Sequence, residues 1–354
     1  MQKGRYIWLT REVTRETKDA VTIIFNTVGS VFLYDPGQFV NVTLVVNGEK
    51  LIRSYSLSSS PDTDPYPSIT LKRVPGGLIS NYIADHAEQI DEWEIEGPYG
   101  SFVPAKDSYQ SRHIVLLAGG SGITPLWSIA KSILKRAKDT KLTILYANRN
   151  WEDVIYAETI EKFGQQYKDQ MAVFHALSQP AEVKSLLTGN IIEGRLNKLI
   201  AKKLLKQATA KELSTTHFFI CGPPGLINLY QETLETLQVP ETNIFLERFS
   251  VEDELNEPLN LPEATQEVLF HYYDQSQLIE VPPGKTILTA ALENGISLRH
   301  SCKSGTCGVC AATVTTGKVK MIKNFALTEN EVEEGVVLLC QSYPLNDDVT
   351  IEIG

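Results

Sequence analysis

The stretch Ser301-Cys302-Lys303-Ser304-Gly305-Thr306-Cys307-Gly308-Val309-Cys310, with Cys340 further on, decides the fold of the C-terminal part of this chain. Its Cys-x4-Cys-x2-Cys spacing with a distant fourth cysteine is that of a plant-type [2Fe–2S] site, because two irons need four thiolates and one tight loop supplies three. The two glycines permit positive φ, which lets the loop wrap a cluster and point backbone N–H groups at sulfur. A structural zinc site is the alternative, but zinc usually takes paired Cys-x2–4-Cys knuckles, and Cys302 fits no such pair.

The cysteine count and the overall composition narrow the class of protein. The chain has 354 residues, which suits two or three domains. It has five cysteines, and an odd number without an apolar leader argues against a disulfide framework. No apolar run approaches the ~18 residues that a membrane helix needs. We therefore expect a soluble, cytoplasmic protein without membrane insertion.

The formal charge of −10 is unevenly spread along the chain. Residues 1–249 have balanced charges, whereas residues 250–265 and 266–354 each carry a net charge of −5. An acidic C-terminal part argues against a nucleic-acid partner, because phosphate binding needs clustered Lys and Arg. The acidity either keeps this part in solution or steers it to a basic partner, and the sequence leaves both open.

The pattern of apolar residues predicts three domains and a linker. Residues 1–105 show short β-branched runs separated by turns, including the hairpin turn Asn47-Gly48, and predict an antiparallel β-barrel. Residues 106–249 alternate buried-strand and helical patterns, which is typical of an α/β sheet domain. Residues 250–265 are acidic and lack aromatics, and we expect a linker that lets the last domain move.

Residues 266–354 predict a mixed α+β unit. A strand is expected at Val268–Tyr273 and a helix near Thr286–Asn294. Thr328, with Glu331 three residues later, fits a capping box for a second short helix.

Two motifs in the β-barrel suit a flavin. In Arg53-Ser54-Tyr55-Ser56, the arginine and the tyrosine share one face of an extended chain, so that a guanidinium can meet a pyrophosphate and a phenol ring can lie on an isoalloxazine. The stretch Gly76-Gly77-Leu78-Ile79-Ser80 introduces a helix whose free N–H groups can hold phosphate. A half-buried strand and an ordinary turn are the bland interpretations of each motif alone.

A glycine loop opens the α/β domain where a dinucleotide would bind. The GxGxxG fingerprint is absent, and Ala118-Gly119-Gly120-Ser121-Gly122-Ile123-Thr124-Pro125 stands in its place. The glycines let backbone approach a pyrophosphate, and we expect Thr124 to cap the helix and Pro125 to take its first position. A tight strand–helix turn is the alternative.

Together these motifs resemble the ferredoxin–NADP reductase superfamily. The resemblance rests on the segments Pro36-Gly37-Gln38-Phe39, Arg53-x-Tyr55-Ser56, Gly97-Pro98-Tyr99-Gly100-x-Phe102, Gly120-x-Gly122-x-x-Pro125 and Cys221-Gly222-Pro223-Pro224. Residues 266–354 resemble a plant-type ferredoxin. The fused arrangement is similar to oxygenase reductases with a C-terminal ferredoxin, including the stretch Leu246-Glu247-Arg248-Phe249, and a phenylacetyl-CoA epoxidase-like system is one acceptor that this resemblance implies.

The resemblance also implies roles for single residues. The cluster ligands would be Cys302, Cys307, Cys310 and Cys340. Arg53, Tyr55, Ser56, Gly77 and Ser80 would hold FAD, for which FMN is the alternative, and Ser56 would also act in catalysis near flavin N5. Gly120, Gly122 and Thr124 would face the coenzyme pyrophosphate. Cys221 and Gly222 would lie near the hydride-donating carbon and Glu247 near the flavin edge, although Cys221 also fits a small buried residue and Glu247 a structural hydrogen bond.

The choice between NADPH and NADH depends on the residues that follow the second predicted strand of the α/β domain. Asn148-Arg149 follows this strand, where the adenosine ribose should lie, and an arginine suits a 2′-phosphate. We therefore favour NADPH, although the nearby carboxylates of Glu152 and Asp153 favour the 2′-hydroxyl of NADH. In the alternative interpretation Arg149 is a surface or adenine-stacking residue.

We thus predict a reductase that takes hydride from NAD(P)H onto a flavin and passes single electrons through the cluster to an oxygenase or another acceptor protein. A ferredoxin or flavodoxin reductase with an internal relay is a second hypothesis. A non-catalytic iron–sulfur redox sensor is a third.

Overall fold

The computed structural model describes residues 4–179, 190–209, 213–249, 261–272 and 275–353. The chain divides into two compact units: one comprises Met1–Lys50, Tyr55–Pro98 and Phe102–Arg248, the other Leu51–Ser54, Tyr99–Ser101 and Phe249–Gly354. Within the described ranges, no helix is long and apolar enough to cross a bilayer. Most of the expected linker, residues 250–260, lies outside the described residues.

The N-terminal sheet is antiparallel and has six strands: β1 (Gly4–Thr17), β2 (Ala20–Asn26), β3 (Phe39–Val46), β4 (Glu49–Ser56), β5 (Ser68–Lys72) and β6 (Glu92–Tyr99). Their order is β4-β3-β6-β1-β2-β5. The two edges meet where Leu57, just after β4, forms an antiparallel bridge with Ile69 on β5. This bridge curls the sheet, as expected for the predicted barrel. Helix α1 (Leu78–His86) follows β5.

The second sheet is parallel, with β7 (His113–Gly119), β8 (Lys141–Asn148), β9 (Met171–Leu177), β10 (Asn190–Glu193), β11 (Thr216–Cys221) and β12 (Ile244–Glu247) in the order β10-β9-β8-β7-β11-β12. Its helices are α2 (Ile123–Arg136), α3 (Ala157–Gln166), α4 (Lys198–Ala208) and α5 (Pro224–Thr236). Apolar residues of α2 and α3 pack in one core and those of α4 and α5 in another. The predicted α/β domain is confirmed.

The C-terminal part contains β13 (Gln266–Tyr272), β14 (Gln275–Val281), α6 (Ile287–Glu293), β15 (Ala311–Thr316), β16 (Val319–Met321), α7 (Glu329–Glu333), β17 (Val336–Leu338), β18 (Ser342–Pro344) and β19 (Val349–Ile353). A five-stranded sheet has the order β14-β13-β19-β15-β17, with β13 and β19 parallel. Strands β16 and β18 form a separate pair. This mixed sheet with α6 is the predicted α+β, ferredoxin-like fold.

Local signals predicted several elements closely. The hairpin residues Asn47 and Gly48 both have positive φ, 54° and 83°, as a tight turn between β3 and β4 requires. Thr286 caps α6 by accepting the Thr289 N–H over 3.2 Å. Thr328 and Glu331 form the expected capping box on α7.

The expected start of α2 was wrong by two residues. The helix begins at Ile123 after a 3-10 turn at Gly120–Gly122, so Pro125 is its third residue and not its first. Thr124 does not cap it, because its hydroxyl donates to the Ser121 carbonyl over 2.9 Å. The reason is that the glycines already wind the loop helically, which starts the helix before the threonine.

Candidate active site

The parallel sheet has a topological switch point between β7 and β11. The chain leaves β7 through α2 toward β8 on one side, and leaves β11 through α5 toward β12 on the other. The connections therefore diverge above the carboxyl ends of two neighbouring strands and leave a crevice there, where ligands of open α/β sheets bind. The loops that follow β7 and β11 are those carrying the predicted coenzyme motifs.

Glycines bring these two loops into backbone contact. A methyl group at Gly122 would come within 2.2 Å of the Cys221 carbonyl oxygen, and one at Gly222 within 3.0 Å of the Gly119 nitrogen. Gly120 is different, because it has φ of +51° and nothing within 4 Å of the position a methyl would take. The loop after β7 is thus packed against the loop after β11 at Gly122 and open at Gly120, which leaves room for a ligand to approach its backbone.

The three side chains predicted to act in catalysis, Ser56 near flavin N5, Cys221 near the hydride-donating carbon and Glu247 near the flavin edge, lie together in the first unit. Cys221 and Glu247 are paired in register at the ends of β11 and β12, and Ser56 at the end of β4 is hydrogen-bonded to the Glu247 carboxyl group. Although Glu247 as a residue is only half-buried, its Oε2 atom is fully enclosed and has no hydrogen-bond partner among the residues that the structure describes. An unpaired buried carboxyl oxygen is unusual and marks a place where a ligand can bond.

The protein environment raises the pKa values of both Glu247 and Cys221. Burial raises the pKa of Glu247 to about 8, and the hydrogen bond with Ser56 opposes that rise. Burial, reinforced by the neighbouring Glu247 charge, raises the pKa of the Cys221 thiol well above its usual value. Cys221 is therefore a neutral thiol, and Glu247 is a carboxyl group that can hold a proton near neutral pH.

Strand β4 presents the predicted flavin residues. Arg53 and Tyr55 are two residues apart and so share one face of the strand. Arg53 is exposed, and its Nη1 donates to the Ile52 carbonyl over 2.7 Å. Tyr55 is half-buried and Ser56 is buried. The guanidinium thus stays open to a ligand while the serine hydroxyl faces the protein interior.

Helix α1 presents a free N-terminus after Gly77. No side chain caps it, so the N–H groups of its first turn are open to an anion. The Ser80 hydroxyl is buried and accepts the Val74 N–H over 3.2 Å, which holds the serine against the turn before the helix.

The residues that bear on the choice between NADPH and NADH lie in the turn after β8 and differ in burial. Arg149 and Glu152 are both exposed. Asp153 is instead buried, with a carboxylate oxygen 3.7 Å from the Lys72 ammonium nitrogen. Its charge is therefore engaged by the barrel and unavailable to a ribose, which removes one of the two carboxylates that spoke for NADH.

The cysteine loop lies in the C-terminal part of the second unit. Cys307, Cys310 and Cys340 are buried and Cys302 half-buried, all as free thiols. The Ser304 and Thr306 N–H groups donate to Cys302 Sγ over 3.4 and 3.3 Å. Gly305 and Gly308 have positive φ, 80° and 71°. This is the wrapped loop with amides directed at sulfur that the sequence predicted.

The thiols also act on one another. Hydrogen bonds with Cys307 and Cys340 lower the pKa of Cys302, and those same contacts raise the pKa of Cys307 and Cys340. Cys340 likewise lowers the pKa of Cys310. These contacts show that the four sulfurs are neighbours, and their chemistry fits thiolate ligation of iron. Among the described residues, however, no group of three or more His, Cys, Asp or Glu side chains already has the geometry of a metal site.

One polar contact could not be found from sequence. Lys131 on α2 is buried and paired with Asp64, in the loop between β4 and β5. Ser128, one turn earlier, donates to the Ser59 carbonyl over 2.5 Å. These bonds tie the helix that begins at the glycine loop to the barrel, but a lysine in an amphipathic helix looks like a surface residue in the sequence.

Comparison with known families assigns all three domains. Residues 10–103 match the oxidoreductase FAD-binding domain, residues 116–232 the oxidoreductase NAD-binding domain and residues 270–345 the 2Fe-2S iron–sulfur cluster binding domain.

Relatives match nearly end to end. The ferredoxin reductase component of 3-ketosteroid-9-alpha-monooxygenase from Mycobacterium tuberculosis is 31% identical, over 96% of this chain and 93% of that protein. A component of 1,2-phenylacetyl-CoA epoxidase from Escherichia coli is 30% identical, over 96% and 95%. The chain belongs to the family of oxygenase reductase components. The reductase is an NAD(P)H-dependent oxidoreductase that uses FAD and a [2Fe–2S] cluster, as the sequence predicted.

Solved structures share the fold of this reductase. Phthalate dioxygenase reductase aligns over 99% of this chain and 98% of its own, with a TM-score of 0.56 and 19% identity. An intact self-sufficient cytochrome P450 monooxygenase aligns with a TM-score of 0.72 and 21% identity, over 99% of this chain and 41% of its own. The predicted three-domain fold is confirmed. The roles of individual residues and the domain boundaries stay predictions.

Proposed function

We propose that this reductase delivers electrons, one at a time, to an oxygenase that it meets as a separate protein. The observation that carries the proposal is the gathering of Cys221, Glu247 and Ser56 beside the glycine loop at the switch point. The same chain also carries four cysteines for a cluster, three in one loop and the fourth at Cys340. When bound, FAD accepts a hydride from NAD(P)H and releases its two electrons singly, and the [2Fe–2S] cluster relays one electron at a time.

The substrate of the oxygenase does not follow from the relatives alone. A phenylacetyl-CoA epoxidase-like system is supported by the relative at 30% identity. A steroid monooxygenase component at 31% identity and a glycine betaine monooxygenase reductase subunit from Pseudomonas aeruginosa at 28% identity lie in the same narrow range. We therefore propose an oxygenase partner of this general kind, with the epoxidase as one candidate.

The FAD site is proposed on β4 and α1. Arg53 would bind the pyrophosphate through its free guanidinium edge, Tyr55 would lie against the ring, and backbone N–H groups between Gly77 and Ser80 would bind phosphate. This assignment is supported by the exposed guanidinium and the uncapped helix start.

The coenzyme site is proposed on the two glycine loops. The open face of Gly120 would let the pyrophosphate approach the N–H groups at the start of α2, and the packed Gly122 and Gly222 would fix that geometry. Thr124 would act through its hydrogen bond to Ser121, shaping the loop rather than touching the ligand. Cys221 and Gly222 would lie beneath the nicotinamide.

Glu247 is proposed as a proton-holding group at the flavin edge, with Ser56 as its hydrogen-bond partner. A pKa of about 8 in the protein places its protonation change close to the pH at which a reductase operates. The buried Cys221 thiol, whose pKa is raised, would stay neutral and keep like charge away from Glu247.

NADPH is proposed as the preferred coenzyme, on the exposed Arg149 and the engagement of Asp153 by Lys72. Replacing Arg149 by alanine should raise the KM for NADPH about tenfold, while the KM for NADH changes less than twofold. The control is Arg112→Ala, since Arg112 is exposed just before β7, at the opposite end of the sheet. Equal effects of Arg149→Ala on both coenzymes would overturn the assignment.

The proposed oxygenase partner can be tested by reconstitution. Reductase and a purified candidate oxygenase should together consume NAD(P)H with substrate oxidation, and a Cys310→Ser reductase should not support it. Turnover that is undiminished with Cys310→Ser would reject the route through the cluster.

The predicted cytoplasmic location and the predicted domain bounds, 1–105, 106–249, 250–265 and 266–354, stay predictions.

A further inference from the structure

The C-terminal domain is acidic overall but has one long stretch without acids. Residues 266–354 contain eleven acids and six bases, and none of the acids falls between residues 294 and 328. Five of the six bases do: Arg299, Lys303, Lys318, Lys320 and Lys323. This stretch also contains three of the four cluster cysteines, so the positive charge of the domain is concentrated in the same part of the sequence as the cluster loop.

One of these lysines is part of the cluster loop, and the backbone of another packs against it. Lys303 follows Cys302, is exposed, and has a carbonyl that accepts the Gln341 side-chain amide over 2.9 Å. The Lys323 carbonyl lies so close to Gly305 that a methyl group there would come within 2.9 Å of it. The backbones of Lys303 and Lys323 are therefore held at the loop, and their side chains carry charge at its edge.

Lys320 extends the positive surface along β16, and Lys318 lies just before that strand. Both lysines are exposed. Met321, next to Lys320, lies on the other face of the strand, where its sulfur accepts the Leu338 N–H over 3.3 Å. Within the described residues, Lys303, Lys318, Lys320 and Lys323 take part in no ion pair.

An exposed aromatic ring completes this surface. Phe325 is 40% exposed, and its N–H donates to the Gly305 carbonyl over 3.0 Å, so it too is anchored to the cluster loop. Aromatic residues surrounded by charges are typical of protein interfaces. We call Lys303, Lys320, Lys323 and Phe325 the cluster rim. The acids of α7 begin at Glu329, so the rim has a negative neighbour that can orient a partner.

We propose that the cluster rim is the docking surface for the electron acceptor, and that it fits a protein face that is acidic with an apolar centre. The proposal rests on the proposed function. Unpaired lysines at the edge of the redox centre attract an acidic face during encounter, and Phe325 provides apolar contact once it has docked. This is the opposite of what the net charge of −10 suggests, because the charge at the site of electron transfer differs from the average.

The test is a triple charge reversal, Lys303→Glu with Lys320→Glu and Lys323→Glu. Its control reverses three exposed, unpaired lysines in the other unit: Lys138→Glu, Lys203→Glu and Lys206→Glu. Both proteins carry the same net charge. The probes are cytochrome b5, which is acidic, and cytochrome c, which is basic, each reduced by NADPH through the enzyme at several salt concentrations.

We expect the rim variant to reduce cytochrome b5 at least ~10-fold more slowly than the control at low salt, and to reduce cytochrome c no more slowly. In the wild type, cytochrome b5 reduction should fall as salt rises. Phe325→Ala should slow cytochrome b5 reduction without changing its salt dependence. Equal cytochrome b5 rates in the two triple variants, a wild-type rate independent of salt, or wild-type reduction of cytochrome c alone would overturn the proposal.

A separate measurement keeps this result apart from the proposed function. NADPH should bleach the flavin and produce the cluster's paramagnetic signal in the wild type and in both triple variants without any acceptor. If the wild type fails here, the proposed function itself is wrong. If all three proteins show both signals and cytochrome b5 reduction does not depend on the rim charges, the proposed docking surface is wrong and the proposed function stands. The reduction potential of the cluster, measured in parallel, shows whether a slowed rate reflects driving force, which salt would not restore.

Discussion

The ammonium group of Lys131 is paired with the Asp64 carboxylate, and this pair joins the helix of the dinucleotide loop to the flavin barrel. Lys131 is buried, and burial lowers its pKa although Asp64 opposes the shift. The pair stands beside the Ser128 bond to the Ser59 carbonyl. Since α2 begins at Ile123, directly after the glycine loop, its placement on the barrel sets where a nicotinamide would meet a flavin.

Removing the lysine should therefore affect both stability and coenzyme use. Lys131→Met removes the ion-pair partner of Asp64, whose side chain is 32% exposed and also accepts the Ser60 N–H. We expect a loss of about 1–2 kcal/mol in the free energy of unfolding. The KM for NADPH should rise with it. Urea unfolding and steady-state kinetics measure the two effects. The control Lys162→Met breaks an exposed pair with Glu158 and should cost under about 0.5 kcal/mol. Matching losses would contradict the account.

Glu247 should make stability depend on pH in the flavin-depleted protein. Its pKa is about 8 in the folded chain and about 4.5 when unfolded, so the folded state binds the extra proton between these values. Stability should thus be highest below about pH 4.5 for this group and fall, by at most ~1.4 kcal/mol per unit, as pH rises to about 8. Wild type and Glu247→Gln, unfolded in denaturant from pH 5 to 8.5, should diverge accordingly. Parallel pH profiles would show that Glu247 titrates normally.

The contact between the two glycine loops should be intolerant of a single methyl group. In Gly122→Ala the new carbon would meet the Cys221 carbonyl at 2.2 Å, so one loop must move. We expect the KM for NADPH to rise at least ~10-fold, because displacements of about 1 Å have such effects. The control Gly164→Ala lies in α3 with nothing within 4 Å, and should keep the KM while gaining ~0.5–1 kcal/mol of stability. An unchanged KM in Gly122→Ala would count against the loops as the coenzyme site.

The cluster loop allows a matched test of close packing against backbone strain. Gly305 and Gly295 have nearly the same φ, 80° and 78°, but only Gly305 has a neighbour, the Lys323 carbonyl, where a methyl would go. Both alanine variants should lose about 1 kcal/mol through left-handed strain. Only Gly305→Ala should also lose iron, assayed together with visible absorbance. Full iron occupancy in Gly305→Ala would mean that the loop does not need this close contact.

The sequence predicted what depends on local chemistry. The cysteine spacing, the Asn47-Gly48 turn and the Thr328–Glu331 capping box each act through neighbouring residues, and the structure has them as expected. The start of α2 was missed because glycines can continue a helical turn as well as precede one. The Lys131–Asp64 pair joins residues 67 positions apart and has no sequence signal. The pairing of Asp153 with Lys72 likewise has no sequence signal, because only the fold brings the two residues together.

The central claim, that electrons pass from NAD(P)H through the flavin to a cluster held by four thiolates, is tested most directly by anaerobic rapid mixing followed by electron paramagnetic resonance. In the wild type, flavin absorbance should fall first and the signal of a reduced [2Fe–2S] cluster should follow. In Cys340→Ser the flavin should still bleach and the cluster signal should be missing. A wild-type protein that binds zinc, or that shows no paramagnetic signal after its flavin is reduced, would contradict this account.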